Sequence, residues 1–146
     1  MEQNIIYDVS CIDYIRNMSK EKSIVLIYSP TTIEKCSLQE ILDIEGVETM
    51  SSHVPFPSLL FECNKHYDVS IGIGGGAAID RAKYIAYQQV IPCIAIPSIL
   101  STNVFARNKV AYIDKNNIKT TIDSILPETV IFDNRLISEV ADRYSI

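Results

Sequence analysis

The chain has 146 residues, a formal net charge of −5, 47% apolar and 21% charged residues, which suits one folded domain with one good core and excludes a disordered chain. No Lys or Arg run is long enough to make a basic footprint for nucleic acid or an anionic membrane. The longest uncharged stretch, Tyr84 to Ala106, is broken by Gln88, Gln89 and turn sites, and the N-terminus lacks a basic region followed by an apolar core, so neither a membrane span nor a signal peptide is expected and the location is predicted to be cytoplasmic.

Ile5-Ile-Tyr7 is a candidate strand. Ser10-Cys-Ile-Asp13 supplies a hydroxyl N-cap with an acid three residues on, and Ile12, Ile15 and Met18 follow at helical spacing, predicting a helix over 11–19. Ser23-Ile-Val-Leu-Ile-Tyr28 is a short apolar run before Ser29-Pro30, as expected of a strand buried on both faces. Thr31 or Thr32 then caps a predicted helix reaching Leu42, with Ile33, Leu38, Ile41 and Leu42 as its stripe. A weak strand near Val47–Met50 is followed by a helix expected over Pro57 to Lys65, since proline fits a first helical turn.

Val69 to Ile73 is an apolar run entering a glycine cluster at Gly72, Gly74, Gly75 and Gly76, and Ile79, Ala82, Ile85 and Ala86 leave it at helical spacing, predicting a helix over about 77–89. Pro92-Cys-Ile-Ala-Ile-Pro97 reads as a further buried strand that feeds the polar loop Ser98 to Asn103. Val110–Ile113, Lys119–Ile122 and Thr129–Phe132 are short β-rich runs consistent with a hairpin and a return to the sheet, after which Asp133 can cap a last helix carrying Leu136, Ile137, Val140, Ala141 and Tyr144. Strands alternating with helices predict an α/β fold, a Rossmann-like parallel sheet with helices on both faces plus a β-hairpin. In such sheets ligands sit at the carboxyl ends of the strands, where the Gly74–Ala77 and Ser98–Asn103 loops can line one crevice.

Cys11, Cys36, Cys63 and Cys93 form no C-x-x-C pair and read as reduced, buried thiols, and His53 and His66 flank no carboxylate cluster, so a metal site within these residues is not expected. The glycines admit two readings. They can cradle a phosphate on unpaired N–H groups at the positive end of a helix, or they can merely let a helix pack tightly on a strand. Asp80 and Lys83 are likewise either functional or a dipole-favoured acid with a solvated i,i+3 partner. Gly72-Ile-Gly74-Gly-Gly76-Ala77 fits the G-x-G-x-x-G/A pattern, but it lies some seventy residues into the fold, and no Asp or Glu occurs between Asp80 and Asp114 to bind a ribose, which argues against an ordinary Rossmann site.

Gly74-Gly-Gly-Ala-Ala-Ile-Asp80-Arg-Ala-Lys83, then Ile91-Pro-x-Ile-x-Ile-Pro97-Ser98-x-x-Ser101 and Leu126-Pro-x-x-Val-x-x-Asp133, resembles the superfamily of iron-containing alcohol dehydrogenases, glycerol dehydrogenases and 3-dehydroquinate synthases. The stretch Pro97 to Ala106 looks most like the corresponding loop of sn-glycerol-1-phosphate dehydrogenases, and the synthase Gly-Gly-Lys-Thr is absent. The resemblance implies that Gly74, Gly75, Gly76 and Ala77 hold the pyrophosphate of NAD or NADP, that Asp80 lies near the nicotinamide ribose, and that Ser98, Ser101 and Thr102 line the cofactor cleft. Asn103 stands where those enzymes place a substrate-facing Asp, and Ser29-Pro30 where many NAD-using relatives end a strand in Asp, which would tolerate NADP.

The resemblance also implies a second, helical domain that carries an Asp and two His ligands for a divalent metal, Zn or Fe. Residues 1–146 correspond to the dinucleotide-binding domain without it. The expectation is therefore an NAD(P)-binding domain of a metal-dependent polyol or glycerol-1-phosphate type dehydrogenase. It would be inactive by itself and contribute no catalytic or metal-ligating residue; the complete enzyme would act on a small polyol or phosphate substrate. A domain without its partner exposes an apolar face, which predicts self-association into a homo-oligomer. A 3-dehydroquinate synthase-like cyclase domain and a non-catalytic nucleotide-binding module are the alternatives.

Overall fold

The computed structural model describes residues 3–55, 65–98, 109–113 and 116–137, without the side chains of 111–113 and 119. The expected helix over 57–65 falls almost wholly outside them, as do Ser101, Thr102 and Asn103, Cys63, and the last helix beyond residue 137. Eight strands are described: β1 (Asn4–Tyr7), β2 (Ile24–Tyr28), β3 (Val47–Ser51), β4 (Val69–Gly74), β5 (Cys93–Pro97), β6 (Lys109–Ile113), β7 (Lys119–Asp123) and β8 (Thr129–Phe132). Three α-helices accompany them: α1 (Cys11–Met18), α2 (Pro30–Lys35) and α3 (Gly76–Gln89), with a 3-10 helix over Gln39–Asp43. Six strands form one sheet in the order β1-β8-β5-β4-β2-β3, and every pairing in it is parallel.

The alternation of side chains along the strands builds a core on each face. Ile24 and Leu26 of β2 join Val69, Ile71 and Ile73 of β4 beneath α1, α2 and the 3-10 helix, whereas Val25 and Ile27 point to the other side, where Ala78, Ala82, Ile85 and Ala86 of α3 cover them. β6 and β7 form a separate antiparallel hairpin whose Val110 packs into that second core, and β8 returns to the main sheet as expected.

Helix α1 starts as predicted, with Ser10 Oγ accepting from Asp13 N at 3.3 Å. A second cap comes from far along the chain: Asp133 Oδ2 accepts from Cys11 N at 2.8 Å, while its Oδ1 accepts from Arg135 N at 2.8 Å. One carboxylate at the end of β8 thus holds the starts of α1 and of the helical residues 134–137.

The helix expected to run from Thr31 or Thr32 to Leu42 is instead two pieces. Ser29 is its N-cap and Pro30 its first residue, and it ends at Lys35 because Ser37 takes a left-handed φ of +53°. Leu38 N then donates to Ile33 O at 2.9 Å and Ser37 N to Glu34 O at 3.3 Å, the paired closing bonds of a Schellman-type end. Serine sits there in the place usually given to glycine, so the continuous apolar stripe misled the reading. Cys11, Cys36 and Cys93 are free and buried as expected. Burial pushes the Cys93 thiol up to about 12, against the opposing charge of Lys83, and an uncharged thiol of this kind is a packing residue.

Candidate functional site

Strand order places the candidate site. From β2 the chain moves outward to β3, then crosses back so that β4 pairs with the opposite edge of β2, and the order reverses between β2 and β4. The crevice beyond the carboxyl ends of those two strands is the usual place for a ligand in an open parallel sheet. It is bounded by Ser29 and α2 after β2, the glycine turn after β4, and Ser98 after β5. Two main-chain bonds draw these segments together: Ser29 N donates to Ile73 O at 3.0 Å and Ser98 N to Gly74 O at 2.9 Å. These bonds set the starts of the two polar loops side by side at Gly74 and Ser98; residues 99–103 of the second loop lie outside the described residues.

The glycines are not equivalent. A Cβ on Gly72 would stand 2.8 Å from Ile79 Cα and 2.9 Å from Ala82 Cβ, so α3 lies on β4 with only hydrogen between them. Ser70 confirms how close the helix runs, its Oγ donating to Ala82 O at 2.8 Å. Gly74 has φ +134°, and a Cβ there would meet Ser29 Cβ at 2.5 Å, so both its conformation and the approach of the α2 N-cap require glycine. Gly76 differs: a Cβ there would meet nothing within 4 Å among the described residues. It is the first residue of α3, Gly75 is the N-cap, and among the described residues no side chain caps this end of the helix. The first-turn N–H groups, including those of Gly76 and Ala77, lie at the positive end of a helix of 14 residues, beyond the carboxyl end of β4.

Hydroxyls fill the neighbouring wall. Thr32 Oγ1 donates to Ser98 Oγ at 3.2 Å, and both residues are buried, each 7% exposed. Thr32 entered the sequence reading only as a helix cap. The signal that could have found it is the density of hydroxyls in Ser29-Pro-Thr-Thr32 directly after a buried strand.

Asp80 and Lys83 depart from the picture of a solvated pair. Asp80 lies in the second turn of α3, past the reach of the first-turn N–H groups, and Lys83 is fully buried. Lys83 Nζ sits 3.5 Å from Asp80 Oδ1 and donates to Lys109 O at 3.0 Å, joining α3 to the first residue of the hairpin. Next to it, Arg81 Nε donates to Val54 O at 2.7 Å and its Nη1 to Ala77 O at 3.1 Å, fastening the first turn of α3 to the segment after β3. Burial lowers the pKa of that guanidinium and Asp80 partly opposes the shift.

Residues 10–140 match the family model for iron-containing alcohol dehydrogenase. The chain belongs to that family. Its curated relatives include the glycerol-1-phosphate dehydrogenase (NAD(P)+) of Thermoplasma volcanium, 26% identical over 143 residues covering 91% of this chain and 40% of the relative. That of Pyrococcus furiosus is 27% identical over 151 residues, 97% of this chain and 42% of the relative. The chain therefore spans well under half the length of these dehydrogenases.

Solved structures agree on the fold. Glycerol dehydrogenase from Schizosaccharomyces pombe superposes with a TM-score of 0.71 at 19% identity, covering 93% of this chain and 38% of that one. Sulfoacetaldehyde reductase from Bifidobacterium kashiwanohense, solved with NAD+, superposes with a TM-score of 0.73 at 16% identity, covering 92% and 45%.

The family is named for iron; among the described residues no group of three His, Cys, Asp or Glu side chains could hold a metal ion. Nor is any helix among them long and apolar enough to cross a membrane.

Proposed function

We propose that residues 1–146 form the NAD(P)-binding domain of a metal-dependent alcohol or glycerol-phosphate dehydrogenase. The observation that carries this reading is Gly76. Packing explains Gly72 and Gly74, whereas the described residues leave the space beside Gly76 open at a helix start that none of them caps with a side chain, at the sheet's switch point. In a family whose curated relatives are named for NAD(P)+, that space suits a pyrophosphate. Gly75, Gly76 and Ala77 would offer it main-chain N–H groups. Gly74 would keep the turn tight, and Ser98 would offer a hydroxyl to the ribose or the carboxamide. Asp80, whose side chain stays 14% exposed while paired with Lys83, would lie near the nicotinamide ribose.

Ser101, Thr102 and Asn103 extend the proposal on the strength of the resemblance alone, Asn103 toward the substrate. The dinucleotide supplies hydride chemistry when bound, and these residues bind and orient it. No step is assigned to a metal here, because the described residues provide no donor set for one. In the complete enzyme the substrate class would be a small polyol or glycerol phosphate, as in the named relatives. Titration of NADH and NADPH fluorescence against the purified chain tests the proposal. Saturable enhancement with at least one of them is expected; a folded chain that binds neither at millimolar concentration refutes it.

A further inference from the structure

Ser98 is held more firmly than a residue that merely ends a strand. Its main-chain N–H donates to Gly74 O at 2.9 Å, and its Oγ accepts from Thr32 Oγ1 at 3.2 Å across 66 residues of sequence. With that lone pair taken, the hydroxyl proton of Ser98 has no acceptor among the described residues, although the side chain is buried. A buried hydroxyl with an uncommitted proton calls for a partner. Thr32 is equally well placed to set the direction of that proton. It sits on α2, whose cap residue Ser29 is wedged against Gly74, so any shift of α2 would move it relative to the glycine turn.

We propose that Thr32 is a positioning residue: its hydroxyl fixes the rotamer of Ser98 so that Ser98 donates its proton to an oxygen of the bound dinucleotide. The inference rests on the dinucleotide reading above. Thr32 itself does not touch the ligand; it acts through Ser98, from a different strand-loop unit of the sheet.

The test is a double-mutant cycle read as Kd for NADH and NADPH, with thermal melts of every variant. Thr32→Val keeps the shape and deletes the donor, and is expected to raise Kd about fivefold, the loss of one ordinary hydrogen bond. Thr32→Ser, which keeps the hydroxyl, is expected to restore the wild-type value. Ser98→Ala should weaken binding to a similar degree, and Thr32→Val added to it should weaken binding no further, because the two groups act as one unit. Should Thr32→Val fail to fold, Thr32→Ala takes its place in the cycle.

A Thr32→Val protein with the wild-type Kd overturns the inference while leaving the dinucleotide reading standing. An effect that adds to that of Ser98→Ala, or that Thr32→Ser fails to reverse, overturns it as well. A wild-type chain that binds neither dinucleotide removes the reading itself, and the inference with it.

Discussion

Gly72 and Gly74 on one side of the turn, and Gly76 on the other, look alike in the sequence and do opposite work. The first two sit where protein atoms would be struck, Ile79 and Ala82 in one case and Ser29 in the other; beside the third no described residue stands within 4 Å. Tight packing and ligand access are thus divided between neighbouring residues of one motif. The division follows from geometry: the end of β4 must accept α3 on one face and α2 at its edge, whereas the first residue of α3 already points out of the sheet. Substitutions on the packed side should therefore cost stability, and one on the open side should weaken binding without costing stability.

Gly74→Ala should have the largest effect. The new side chain would have to adopt φ +134° and displace the Ser29 Cβ standing 2.5 Å away. Roughly 1–3 kcal/mol is expected from the backbone conformation, with a further ~1–3 kcal/mol from overpacking. A shift of the urea midpoint to lower concentration measures it. An unshifted midpoint would break the comparison, since Gly74 would then belong with Gly76.

Lys83→Met comes next and extends the packed side to the far end of the site. Removing this buried cation deprives Asp80 and the Lys109 carbonyl of their shared donor, and breaking a buried pair from one side destabilises by about 3 kcal/mol. Hydrogen exchange should locate the loss at the hairpin β6–β7 as well as in α3. Exchange confined to α3 would show that Lys83 does not fasten the hairpin. Gly72→Ala should follow at about 1–3 kcal/mol, because the clash is with the main chain of α3 and can be relieved only by lifting the helix from β4.

How far the sequence disclosed this arrangement depends on what each residue reveals of its neighbours. β2, β4, β5 and β8 were readable because central parallel strands are apolar on both faces, and each stands out as a short unbroken run. That the Gly74 and Ser98 loops share one end of the sheet followed from both leaving the carboxyl ends of parallel strands. The break in the second helix was hidden because its left-handed residue is Ser37, with no glycine to mark it. Lys83 was hidden for another reason: an acid and a lysine three residues apart on a helix look the same whether solvated or enclosed, and only the hairpin returning from far along the chain encloses this pair. Thr32 required knowing that β5 ends beside β4, a fact of strand order that no local pattern carries.

Gly76→Ala has the smallest effect on stability and divides the two sides most cleanly. No atom of the described residues opposes the new methyl group, and Gly76 is helical, so alanine at this first position of α3 should stabilise the fold by roughly 0.5–1 kcal/mol through the entropy it removes from the unfolded chain. The same methyl group would occupy the space that a pyrophosphate needs, so the Kd for NADH or NADPH should rise about tenfold, equivalent to ~1.4 kcal/mol. Melting temperature and affinity are then expected to move in opposite directions in one variant. General damage to the fold would lower both, and a glycine retained only for packing would lower the melting temperature, so a stabilised chain with weakened binding is the outcome that only an open, ligand-facing Gly76 produces.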